Sequence, residues 1–93
     1  MTYKILPTSR FKRDVKRLQK AGKDMSLLEE VIDQLANDIP LDRKHLDHEL
    51  QGNMKGFREC HILPDWLLIY VKDKNALILG LTRTGSHSDL FKK

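Results

Sequence analysis

Three of the chain's four histidines, His48, His61 and His87, fall in stretches that read as loops or strand ends, where a rigid scaffold usually carries function. Imidazole exchanges a proton around neutrality, with an unperturbed pKa of roughly 6.5, so two such groups can act as base and acid in one reaction. Asp65, in the short turn LPD after His61, brings a carboxylate to the same hairpin end. Taken singly, His61 is a half-exposed strand histidine and Asp65 a turn former accepting from backbone amides. Together they point to acid/base chemistry, of which RNA cleavage without a water nucleophile is one use. A base removes the ribose 2′-OH proton, the oxygen attacks the adjacent phosphate, and an acid protonates the departing 5′ oxygen. A guanidinium stabilises the charge gained by the pentacoordinate phosphate, and Arg83, closing the last strand-like run, is the candidate against the commoner surface cation. Phe91 either stacks on a base, at roughly 1 to 3 kcal/mol, or plugs the core. Trp66 either packs on the sheet or walls the site.

Zinc is the rival explanation for clustered histidines. A closed site wants four Cys or His ligands at short, regular spacings, whereas His45 and His48 stand in an irregular segment and the single thiol, Cys60, alternates away from His61 on its strand. No metal and no cofactor is therefore expected, and His45 is set aside.

Several elements must hold these groups. Tyr3 to Leu6 reads as a short strand ended by Pro7, with Thr8 or Ser9 capping a helix through Phe11, Val15 and Leu18 that stops at Gly22. A second helix starts near Asp24 to Ser26, where Ser26 and Glu29 have capping-box spacing, and ends by Ile39 ahead of Pro40. The five-residue connector makes the pair an antiparallel hairpin. Residues 41–54 lack a period and read as an irregular loop. Gly56 to Ile62, Trp66 to Lys72 and Ala76 to Arg83 read as an antiparallel meander that the first strand completes. The tail, Thr84 to Lys93, reads as one helical turn or a hooked loop. The expected fold is α+β, one domain over 1–93 with an N-terminal helical hairpin packed on a four-stranded antiparallel sheet.

Composition agrees. The chain has 93 residues, 40% apolar and 32% charged, enough for one folded core. With one cysteine, no apolar run near 18 residues and no leader-like apolar stretch in MTYKILPTSR, a reducing cytoplasm and no membrane are expected. The net charge of +4 is unevenly spread: residues 4–23 carry eight Lys or Arg against Asp14 alone, and residues 24–50 carry eight acids against Arg43 and Lys44. Such basic faces attract RNA or an acidic protein, although charge runs are more often solvated helix surface.

The segments DHELQGNMKGFRECHILPDWLLIY and LTRTGSHSDLF resemble the YafQ branch of the RelE/ParE toxin superfamily, a likeness that with the helical hairpin covers essentially the whole chain. It implies a RelE-like microbial RNase fold and a type II toxin-antitoxin toxin that cuts mRNA in the ribosomal A site. It carries catalytic duties onto His48, His61, Asp65 and His87, with Asp65 or His61 as base and His87 as acid, and RNA contact onto Trp66 and Phe91. Lys55, Arg58 and Arg83 would meet phosphate, though Arg58 alternates away from His61. The implied partners are a cognate antitoxin, the ribosome with its rRNA, and mRNA. A second reading within the superfamily is a non-enzymatic ParE-like toxin that inhibits DNA gyrase by binding, and a third is a plain RNA-binding module. Neither requires the His48, His61, Asp65 and His87 set.

Overall fold

The structure, a computed structural model, describes residues 2–91; Lys92 and Lys93, included in the expected tail, lie outside the described residues. Strand β1 (Lys4–Pro7) leads into helix α1 (Ser9–Lys20), and helix α2 (Met25–Ala36) returns as the second arm of a hairpin. Thr8 caps α1 by accepting from the Phe11 amide. Asp24, rather than Ser26, caps α2, because its carboxylate takes the Ser26 amide.

The rest of the chain builds strands β2 (His48–Glu49), β3 (Arg58–Leu63), β4 (Trp66–Asp73) and β5 (Ile78–Gly85), then a one-turn helix α3 (His87–Leu90). The sheet order is β1-β5-β4-β3-β2. The α+β class and the helical hairpin stand as expected, with two corrections to the sheet. It has five strands, because two residues of the irregular 41–54 segment pair with β3, His48 against Glu59 and Glu49 against Arg58. And β1 runs parallel to β5, Lys4 against Ile78 through Pro7 against Leu81. Tight turns dictate antiparallel pairing for β3, β4 and β5, but no turn constrains a strand some seventy positions from its partner.

Alternation along the strands separates core from site. Cys60 and Ile62 of β3, Leu68 and Tyr70 of β4, and Leu79 and Leu81 of β5 meet Phe11, Leu18, Leu28, Val31 and Leu35 of the helices. Glu59 and His61 take the opposite face. Burial pushes the Cys60 thiol up to about 12, so it stays protonated and inert. Irregular pairing between Ile69 and Tyr70 leaves Thr82 as an extra residue on β5: Leu81 pairs with Tyr70 and Thr84 with Leu68. The bulge reverses parity, so Thr84 rather than Arg83 follows Leu81 onto the core side.

Candidate active site

Glu59 and His61 stand two apart on β3 and so share a face, while the pairing of β2 sets His48 directly beside Glu59. The Glu59 side chain is only 8% exposed, and its Oε1 lies 3.6 Å from His48 Nε2 and 3.7 Å from His61 Nε2. The other ring nitrogens face carbonyls: His48 Nδ1 is 2.6 Å from Leu46 O, and His61 Nδ1 is 3.2 Å from Pro64 O. A carbonyl only accepts, so Nδ1 carries the hydrogen in both rings and Nε2 is the nitrogen turned toward the carboxylate.

The third histidine arrives from the tail. Ser86 caps α3 and forms a reciprocal box with Asp89, which sets His87 at the first helical position. Asp65 Oδ1 accepts from the His87 backbone amide at 3.1 Å and from His87 Nδ1 at 2.9 Å. The bond from the His87 ring, then that from its amide, holds the Asp65 carboxyl below its usual value. The His87 ring centroid lies 5.8 Å from that of His61, edge to face, and 6.4 Å from that of Phe91, itself 43% exposed.

The structure thus brings His48, His61, Asp65, His87 and Phe91 into one open patch and joins Glu59 to them. Glu59 was legible in principle as the i−2 neighbour of His61, but a single strand glutamate reads as a surface residue. Other expected positions are displaced. Trp66 is buried, 2% exposed, with Nε1 donating to Thr84 Oγ1 at 2.9 Å, so its ring packs in the core beneath the patch. Arg83 is paired with Asp14, donating from Nε at 2.8 Å and Nη2 at 3.1 Å, rather than directed at the histidines. Lys55 is exposed after the turn Gly52–Met54, and no hydrogen bond or ion pair ties it to the histidines among the described residues. Arg58 instead meets Asp47 and the Tyr70 hydroxyl on the other face. His45 buttresses β3, its Nδ1 2.6 Å from His61 O.

Glu59, His61 and His87 each offer one ligand atom, all within 4.8 Å of one another, so the site has donors for a metal ion. The carbonyl on His61 Nδ1 and the carboxylate on His87 Nδ1 are the outer partners that orient ligating imidazoles. The same arrangement also serves proton transfer, since it turns the free nitrogens toward a common space. Its open surface suits a polymer better than a small enclosed ligand, and a cavity of about 520 Å³ lies apart from it, lined by Arg58, Tyr70, Asp47 and Lys72 among others.

Residues 3–92 match the family model described as bacterial toxin of type II toxin-antitoxin system, YafQ. The mRNA interferase toxin YafQ of Escherichia coli K12 is 43% identical over 86 residues, covering 90% of each chain. The fold superposes on the Escherichia coli DinJ-YafQ toxin-antitoxin complex with a TM-score of 0.89 at 39% identity, over 98% of this chain and 99% of that one. A metal-bound toxin from Helicobacter pylori superposes with a TM-score of 0.90 at 46% identity, over 98% of this chain and 100% of that one. With nearly every residue matched and the histidine patch built from the motifs that carry the likeness, the chain belongs to the YafQ family of bacterial toxins of type II toxin-antitoxin systems.

Proposed function

We propose that the chain is an mRNA interferase, an endoribonuclease that cuts mRNA in the ribosomal A site by metal-independent attack of the 2′-OH. The observation that carries the reading is the pair of oppositely equipped imidazoles: His61 beside buried Glu59, and His87 held by Asp65. His61 Nε2 lies beside the Glu59 carboxylate, which can stabilise the imidazolium formed once His61 takes the 2′-OH proton as base, and His48 shares that carboxylate. Asp65, bonded twice to His87, is an orienting group rather than the base. It fixes the Nδ1–H tautomer and leaves Nε2 to deliver a proton to the 5′ oxygen. Phe91 supplies a ring for stacking beside His87. With Arg83 and Arg58 paired to carboxylates, imidazolium groups rather than guanidinium meet the transition-state charge.

The basic α1 surface supports rRNA contact, and a cognate antitoxin is the partner that the DinJ-YafQ complex suggests by likeness. Expressed in growing cells, the wild-type chain yields new mRNA 5′ ends and His87→Ala yields none. Growth arrest without new ends would replace catalysis by binding, and cuts persisting in the variant would remove His87 from the acid role. On purified translating ribosomes at constant magnesium, cleavage is unchanged by a chelator selective for transition metals. Added zinc inhibits, because an ion on Glu59, His61 and His87 takes the electron pairs that proton transfer needs. Cleavage lost to that chelator and restored by added zinc or another transition metal would overturn metal independence.

A further inference from the structure

Asp14 is the one acid among the bases of residues 4–23, and its side chain is 3% exposed. Its Oδ2 accepts from Arg83 Nε at 2.8 Å and from the Thr84 amide at 3.1 Å; its Oδ1 accepts from Arg83 Nη2 at 3.1 Å and Arg17 Nη1 at 2.9 Å. Burial pushes the carboxyl up, but the bonds from Arg83, the Thr84 amide and Arg17 outweigh it and hold Asp14 below its usual value. Arg17 carries the connection outward. Its Nη2 lies 3.4 Å from Asp89 Oδ2 and 3.5 Å from Thr84 O. That same Asp89 oxygen accepts from the Ser86 amide at 3.0 Å, inside the box that starts the helix of His87. Thr84, beneath, accepts from Trp66 Nε1 and donates to Leu67 O at 2.7 Å, locking the end of β5 to the start of β4, where Asp65 precedes Trp66.

We propose that Asp14 and Arg17 of α1 form a strut that positions His87 for proton transfer, by gripping Thr84 at the end of β5 and Asp89 in the one-turn helix. The inference rests on the acid role of His87 proposed above. Four residues of helix make too few internal bonds to hold a catalytic ring by themselves, and His87 and Asp65 are both exposed, so their mutual bond needs an external frame. The strut supplies it from a twelve-residue helix. Gly85 shows how closely the parts approach: a Cβ there would lie 2.9 Å from Arg17 Nη2, 3.0 Å from Asp89 Oδ2 and 3.1 Å from Asp89 Cβ. With φ at +152° and Asp89 so near, glycine fits this position best, which gives the R-T-G text a positioning meaning. Arg17, Arg83 and Trp66 act through other residues and touch no substrate in this account.

The test uses the full chain on translating ribosomes. Arg17→Gln, at a half-exposed position, removes the outer arm and leaves the buried Asp14–Arg83 pair in place. Its kcat falls at least about tenfold while KM stays within about twofold, since a ring displaced by a fraction of an ångström loses alignment before it loses substrate. Arg17→Lys restores part of kcat by keeping a cation near Asp89. NMR of Arg17→Gln shows weakened contacts of the His87 ring with those of His61 and Phe91, as expected where the ring is no longer held in place; this readout needs no turnover. Unchanged kcat and unchanged His87 ring contacts, in a variant with wild-type thermal stability, would overturn the strut. So would a kcat loss that merely tracks lost folded fraction. If wild type makes no cuts, or His87→Ala cuts normally, the catalytic reading fails instead, and NMR still decides whether Arg17 holds the ring.

Discussion

At the scale of single residues, the sequence is most informative where a side chain's chemistry survives any environment, and least where the environment sets its duty. His48, His61 and His87 could be gathered from their types and from the motifs around them, and the structure does gather them. Trp66, Arg83 and Glu59 could not be placed: an indole, a guanidinium and a carboxylate do opposite jobs in the core and in solvent, and only tertiary contacts decide. Asp65 shows the same for roles. A carboxylate in a turn beside a histidine serves equally as base or as orienter, and its two bonds to His87 support the second role. Asp65→Asn tests whether the carboxylate charge is needed beside His87 at all. If Asp65 orients, the amide oxygen can still accept from the ring but no longer compensates an imidazolium, and cleavage drops on the order of 10²-fold or more with KM little changed. A variant near wild-type activity would make the ion pair ornamental.

Among the elements, the helical hairpin and the three-strand meander were legible because periodicity and short turns are local. The direction of β1 and the existence of β2 were not, because both depend on distant strands. The pairing of β2 matters most, since it delivers His48, and something must hold so short a strand. Asp47, next to His48, accepts from the Tyr70 hydroxyl at 2.5 Å and pairs with Arg58 Nη2 at 3.3 Å, fastening the loop to the sheet from the helix side. Burial first, then the bond to Asp47, pushes the Tyr70 phenol above its usual value, so it remains a donor at any physiological pH. Tyr70→Phe removes that donor with little change in shape. Expected are a stability loss of about 1 kcal/mol and faster amide exchange over residues 46–50, with exchange in β4 and β5 unaltered. Exchange unchanged in the loop would mean that β2 holds His48 without the Asp47 anchor.

Over the whole molecule, the split of charge between a basic first helix and an acidic second is plain in the sequence, yet it conceals that one acid, Asp14, joins the halves that matter. Its carboxylate ties α1 to β5 through Arg83 and to α3 through Arg17 and Asp89, so the helix layer, the sheet and the tail meet at one charge. The groups facing it are Arg83 and Arg17, both cations, with the Asp89 carboxylate beyond Arg17. Because the folded protein holds Asp14 below the value of 3.8 that it has when free, folding favours the ionised form. That contribution is fully present above the unfolded value and is lost as the pH falls through the folded one. Asp14→Asn, which leaves the partly buried Arg83 beside a neutral amide, is expected to cost on the order of 2 kcal/mol at pH 7. The gap between wild type and variant should then narrow in urea titrations taken from pH 5 down to pH 2, as the wild type protonates the group that the variant never had. A gap that stays constant across that range would assign the loss to altered packing, and the charge of Asp14 would no longer be what binds helix, sheet and tail together.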